Sequence, residues 1–202
     1  MRVVLATSNP GKQREFAALL EPLGVELILQ STLGIIAVPE TGASFAANAL
    51  LKAAHAAAQS GLAALADDSG LEVDALNGRP GIHSARFAGE QASDATNNQL
   101  LIHELREVSD RARRSARYRC VLALVRGPAE VAPVFAHGSW EGHIAQQARG
   151  TGGFGYDPWF IPEGMTITAA EMSAGDKNAV SHRGLALRAL VQALAHAESA
   201  WP

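Results

Sequence analysis

The stretch Arg2-Val3-Val4-Leu5-Ala6-Thr7-Ser8-Asn9-Pro10-Gly11-Lys12 decides the fold class. Arg2–Thr7 reads as a buried strand, because its apolar run is short and unbroken. Ser8-Asn9-Pro10-Gly11 is turn chemistry, and Lys12–Leu20 then has helical composition. A strand feeding a helix through a tight turn opens an α/β or α+β arrangement. Working outward, Val25–Leu29 is expected as a second strand and Ser44–Gln59 as a helix rich in alanine and leucine. Ala63–Asp67 and Leu71–Val73 are expected as short strands on either side of an acidic turn. Asn97–Glu107 is expected as a helix. Tyr118–Val125 and Val134–His137 read as strands, paired as a hairpin across Gly127-Pro128. A glycine-dense loop follows, then a last helix from about His182 to Ala197. No repeat, long linker or low-complexity tail breaks this pattern, so residues 1–202 are expected to form a single domain of one or two lobes.

Composition narrows the function. The chain has 202 residues, 48% of them hydrophobic, enough for a substantial core. A formal net charge of -3 gives no general attraction for a polyanion. The basic run Arg111, Arg113, Arg114, Arg117 and Arg119 carries no recognisable nucleic-acid motif and reads as a solvated face. The single cysteine, Cys120, excludes an internal disulfide framework and a multi-cysteine zinc site, and it reads as a packed thiol. Arg2–Ala6 is far too short for a signal peptide, and no apolar stretch approaches the roughly 20 residues of a membrane span. The expectation is a soluble, cytoplasmic protein that binds neither nucleic acid nor membrane.

Five segments carry chemistry. In Thr7-Ser8-Asn9-Pro10-Gly11-Lys12, the N–H groups of a helix start favour an anion. Lys12 opposes the helix dipole there, which a phosphate between them would explain; the spacing is not that of a full Walker loop. In Ala66-Asp67-Asp68-Ser69-Gly70, paired acids at a strand end suit magnesium, which takes one or two carboxylates plus phosphates and waters. A carboxylate near that metal can also orient or deprotonate a water. Whether the two side chains diverge or converge is open at this level. Asn48, Lys52, His55 and Gln59 fall on one stripe of an otherwise apolar helix. That stripe is either its wet face or one wall of a phosphate cleft, with Glu40 as a metal ligand at the mouth. Gly150-Thr151-Gly152-Gly153-Phe154-Gly155-Tyr156-Asp157-Pro158 holds four glycines in six residues. Such a loop is expected where the backbone must approach something closely. Phe154 could stack on a base and Asp157 accept from a ring N–H. In Ser181-His182-Arg183-Gly184, Ser181 looks like an N-cap and two basic residues occupy the first helical turn. With Lys177 upstream, they point to oxygen atoms on a ligand.

Taken in order, these segments resemble the inosine/xanthosine triphosphate pyrophosphatase family. Glu40-Thr41-Gly42, Pro80-Gly81-Ile82-His83-Ser84-Ala85-Arg86 and His137-Gly138-Ser139-Trp140 complete the pattern, which covers about residues 2–195. The resemblance implies an elongated, two-lobed α/β fold around a mixed sheet, with the active-site cleft between the lobes. It implies a homodimer and a Mg2+ requirement. Carried over residue by residue, Thr7, Ser8, Asn9, Pro10, Gly11 and Lys12 would hold the phosphates, together with Lys52. Glu40 and Asp68 would bind the metal, and Asp68 would accept the proton. Ser69 would touch the substrate. Phe154, Gly155, Tyr156, Asp157, Lys177, His182 and Arg183 would hold the base and sugar. Asp67 is either a second ligand or an orienting neighbour. A pyrophosphatase of other base preference would differ in Phe154–Asp157 and Lys177–Arg183, and a module that only binds nucleotides would not need the acidic pair.

Overall fold

The computed structural model describes residues 2–130 and 132–196. Its strands are β1 (Arg2–Leu5), β2 (Glu26–Leu29), β3 (Ala63–Val73), β4 (Ser115–Val125), β5 (Val134–Ile144) and β6 (Phe160–Pro162). They form a six-stranded sheet in the order β2-β1-β3-β4-β5-β6. The sheet is mixed: β1 is parallel to both β2 and β3, whereas β5 and β6 are antiparallel. The helices are α1 (Pro10–Leu20), α2 (Phe45–Ser60), α3 (Asp94–Glu104), α4 (Ala174–Val180) and α5 (His182–His196). Among the described residues, no helix is long and apolar enough to cross a membrane.

The chain forms two compact units. The first is Met1–Asp68 with Cys120–Gly138 and Arg183–Pro202, and the second is Ser69–Arg119 with Ser139–His182. In the first unit, α1 and α2 are the crossovers that parallel strands require. Asn9 caps α1 by accepting from the Lys12 backbone N–H, with Pro10 at the first helical position. Ser44 caps α2, which ends at Gly61 in the left-handed region. Strand alternation then sorts the core into two layers. Val3, Leu5, Ala63 and Leu65 pack with Phe16 and Leu20 of α1 and with Leu187 and Leu190 of α5. Val4, Ala6, Ala64 and Ala66 pack against Ala49, Ala53, Ala56 and Ala57 of α2. Small residues on both sides let α2 lie close to the strands.

In the second unit, Leu71, Val73, Leu101, Tyr118, Trp140, Ile144 and Phe160 form the core. Ser93 and Thr96 form a capping box at the start of α3. This sets α3 three residues earlier than the sequence pattern suggests. Two arginines of the basic run are engaged in the fold. Arg114 is buried, donating to the carbonyls of Leu105, Val108, Ile144 and Ala145. Arg117 pairs with Glu72, Asp74 and Glu141.

Several expectations are corrected. Ala63–Asp67 and Leu71–Val73 are one continuous strand, and the acidic pair lies inside it rather than in a turn. Gly70 lies inside the strand, and glycine is required there because a Cβ would meet the Gly81 carbonyl oxygen at 2.2 Å. β5 continues past His137 to Ile144, where it gains β6 as a partner. The last helix begins at His182 as expected, and Ala197, its expected end, lies outside the described residues.

Candidate active site

The strand alternation that sorts the core also places the two acids. Ala63 and Leu65 face the layer of α1 and α5, so Asp67 continues on that side. Ala64 and Ala66 face α2, so Asp68 continues on the other. Their partners follow this division. Lys12 of α1 sits 3.0 Å from Asp67 Oδ1, and Arg183 Nε of α5 sits 3.3 Å from Asp67 Oδ2. The Arg183 guanidinium also donates to Glu15 at 2.7 Å. On the α2 side, Asn48 Nδ2 donates to Asp68 Oδ2 at 3.0 Å, and Lys52 Nζ lies 3.5 Å from Asp68 Oδ1. Lys52 donates to Glu40 at 2.5 Å.

The two carboxylates therefore differ in kind. Asp67 is fully buried. Burial alone would raise its pKa, but the charges of Lys12 and Arg183 more than offset this and hold it well below the usual carboxylate range. For Asp68, burial raises the pKa and Glu40 adds to the rise, while Lys52, Lys12 and the Asn48 hydrogen bond oppose it; the result is an upward shift. Burial lowers the Lys52 pKa, but Asp68, Asp67 and Glu40 outweigh it and keep the ammonium charged.

The donor set fits a hard divalent cation. Glu40 and Asp68 both face the Lys52 ammonium, so their oxygens already converge on a positive charge. Three cations (Lys12, Lys52, Arg183) meet four carboxylates (Glu15, Glu40, Asp67, Asp68), leaving negative charge in excess. Among the described residues, no group of three or more His, Cys, Asp or Glu side chains is placed to hold a metal. An ion bound here would draw its other ligands from phosphates and water, as magnesium does.

The loop before α1 differs from its expected form. Pro10 has no N–H, and the Lys12 N–H is taken by Asn9 Oδ1 at 3.1 Å, so fewer donors are free at the helix start than the motif suggests. The Asn9 N–H donates to Thr7 Oγ1 at 3.2 Å. Ser8 is exposed and Gly11 buried. The charge of Lys12 at the dipole's positive end is paired with Asp67. Asn48 is fully buried and ties the Glu40 loop to Asp68: its Oδ1 accepts from the Gly42 N–H at 2.7 Å. A Cβ at Gly42 would meet that oxygen at 2.7 Å, which explains the glycine. His55 of the same stripe bonds the Ile36 carbonyl, and Gln59 is exposed.

The second unit gathers the other expected residues. Lys177 Nζ donates to Asp157 Oδ2 at 2.6 Å and lies 5.0 Å from the Phe154 ring centroid. The Phe154 N–H donates to the same Asp157 oxygen at 2.9 Å. Gly153 must be glycine, because its φ is +71° and a Cβ would meet Asp157 Oδ2 at 2.0 Å. The close approach expected of this loop is thus to its own carboxylate. Gly155 is held on both sides: its N–H donates to Asp94 at 2.7 Å, and its carbonyl accepts from Asn98 at 2.9 Å. Tyr156 is buried and donates to the Ser84 carbonyl. His182 is buried and stacks on Tyr118 with centroids 4.7 Å apart. Ser69 is a half-buried strand residue next to Asp68.

Glu15, Asp94, Asn98 and Tyr118 escaped the sequence reading. Glu15 follows Lys12 at i+3 on α1, and Asp94 and Asn98 are i, i+4 on α3; both spacings are visible but common.

The model of the Ham1 family matches residues 3–193. A Salmonella typhi protein named dITP/XTP pyrophosphatase is 51% identical over 193 residues, covering 96% of this chain and 98% of its own. One from Erwinia tasmaniensis with the same name is 53% identical over 196 residues, covering 96% and 95%. The solved structure of a HAM1 protein from Coxiella burnetii superposes with a TM-score of 0.87 at 45% identity, covering 97% of this chain and 99% of that one. A nucleoside-triphosphatase / dITP/XTP pyrophosphatase from Mycobacterium abscessus gives a TM-score of 0.74 at 45% identity, covering 96% and 100%.

Proposed function

The chain belongs to the Ham1 family, and we propose from that premise that it hydrolyses non-standard purine nucleoside triphosphates (ITP, dITP and XTP) to the monophosphate and pyrophosphate. The observation that carries the chemistry is the division of labour within β3. Asp67 is locked between cations, while Asp68, one residue on, has a raised proton affinity beside Glu40, Lys52 and Asn48.

A water attacks the α-phosphorus in line with the departing pyrophosphate, and Asp68 takes its proton. Asn48 fixes the Asp68 carboxylate for that task. Lys12 and Lys52 offset charge on the transferring and leaving groups, and Thr7–Gly11 pack along the phosphates. Magnesium held by Glu40 and Asp68, with phosphate oxygens and waters, would supply further positive charge to the same groups. Holding the reactants in line supplies much of the rate.

The base is read in the second unit. Phe154 offers its ring for stacking, with Gly155 and Tyr156 shaping the loop, and Asp157 holds the Lys177 ammonium beside that ring. An ammonium donor pairs with the C6 oxygen of hypoxanthine or xanthine but meets the C6 amino group of adenine donor to donor. Mismatched polar recognition of this kind discriminates by up to roughly 10⁴. Lys177 and Arg183 both carry donors for the C6 role, and each is already oriented by carboxylates: Lys177 by Asp157, Arg183 by Asp67 and Glu15. In this reading Ser69 and His182 complete the sugar and base contacts, and the enzyme is a cytoplasmic homodimer, which light scattering would register as twice the chain mass.

The test is incubation with ITP and magnesium, with products resolved by phosphorus NMR. Equal amounts of IMP and pyrophosphate are expected. IDP with orthophosphate, or no cleavage, contradicts the proposal.

A further inference from the structure

We propose that Tyr118 is a positioning residue of the base site, aiming Asp157, and through it Lys177 and Phe154, by a single hydroxyl hydrogen bond. This rests on the reading that Phe154–Asp157 and Lys177 receive the base.

The argument starts in β4, where Ala116, Tyr118 and Cys120 alternate inward. The Tyr118 hydroxyl donates to Asp157 Oδ1 at 3.2 Å. The other carboxylate oxygen, Oδ2, accepts both the Lys177 ammonium and the Phe154 N–H. The two oxygens thus have separate duties: Oδ2 holds the groups that meet the base, and Oδ1 is held by Tyr118. Asp157 is only 2% exposed, so water has little access to replace the phenol. Removing the hydroxyl leaves the carboxylate held through Oδ2 alone, which loosens the angle at which it presents Lys177.

The phenol can serve this purpose because its own direction is fixed. Phe160 meets the Tyr118 ring edge-on at 4.8 Å, Trp140 lies at 6.3 Å, and His182 stacks on it with only 7° between planes. Side chains locked by packing in this way position a site more accurately than loop contacts do. The ring's packing needs an aromatic residue, not a hydroxyl. Phenylalanine would preserve all three ring contacts, so the hydroxyl's role can be isolated.

The experiment compares wild type, Tyr118→Phe, Asp157→Asn and the double variant with ITP and ATP in magnesium, alongside melting temperatures. For Tyr118→Phe, the KM for ITP should rise about tenfold, the scale of one hydrogen bond to a charged group, with kcat changed by less than about twofold. The ratio of kcat/KM for ITP over ATP should fall. In the Asp157→Asn background the same change should add less than about twofold, because the route through Asp157 is already broken. Wild-type KM and base ratio in Tyr118→Phe would overturn the proposal, as would penalties that simply multiply in the double variant. Failure of the wild type to cleave ITP would instead refute the underlying function and take this role with it, so the two failures are separable.

Discussion

Replacing Asp67 by Asn tests whether this carboxylate is a buried counter-ion or a metal ligand. The change keeps the side chain's shape and removes one negative charge. Asp67 has no exposed surface and carries both Lys12 and Arg183, the latter 4% exposed. Arg183 retains Glu15, but Lys12 loses its ion-pair partner. Breaking a buried ion pair from one side costs about 3–5 kcal/mol. In a chain of this size each kcal/mol moves the melting temperature by about 2–4 °C, so a fall of roughly 10 °C is expected. Differential scanning calorimetry at pH 7 reads it directly. The pH dependence has a defined sign. The pKa of Asp67 is depressed in the fold, so its contribution is complete above the ordinary Asp value of about 3.9 and is lost as pH falls toward the lower, folded value. Wild type and variant should therefore converge in acid. An Asp67→Asn protein that melts with the wild type at pH 7 but needs far more magnesium for turnover would refute the counter-ion role.

Gly153→Ala should cut kcat/KM for ITP at least about tenfold and lower the melting temperature by roughly 2–12 °C, since its Cβ collides with Asp157 and the residue sits at positive φ; wild-type kinetics would contradict it. The Cys120 thiol is buried and its pKa is pushed up by that burial, so the native protein should not react with a thiol reagent at pH 8 and should react fully once unfolded. Chelation by EDTA should abolish turnover and added magnesium restore it, with Glu40→Gln shifting the restoring concentration upward; metal-independent turnover would remove Glu40 from its assigned role.

Strands β1, β2 and β4, the start of β5 and the two first-unit crossovers are legible because apolar period and cap chemistry act locally, whereas β6, only three residues long, leaves no such pattern. Ser69-Gly70 is common turn composition, so the sequence alone places the acidic pair in a turn where the fold has a strand. What requires glycine at position 70 is a carbonyl eleven residues away, at Gly81, which no local pattern reveals. Once Ala63–Val73 is known to be one strand, its alternation assigns Asp67 and Asp68 to opposite layers without further information. Lys12 reads from sequence as misplaced for the dipole, and only the fold shows that Asp67 of β3 stands beside it. Arg183 lies one residue from His182, yet their contacts differ: Asp67 and Glu15 for one, Tyr118 and Trp140 for the other. Successive helical residues point about 100° apart, so adjacency in a motif does not imply a shared target.

The central claim is that Asp68 is the proton acceptor. Its most direct test is the turnover of Asp68→Asn on ITP with saturating magnesium, measured beside the variant's melting curve. A folded protein whose kcat is lower by about a thousandfold or more agrees with the assignment. A folded variant within tenfold of the wild type contradicts it.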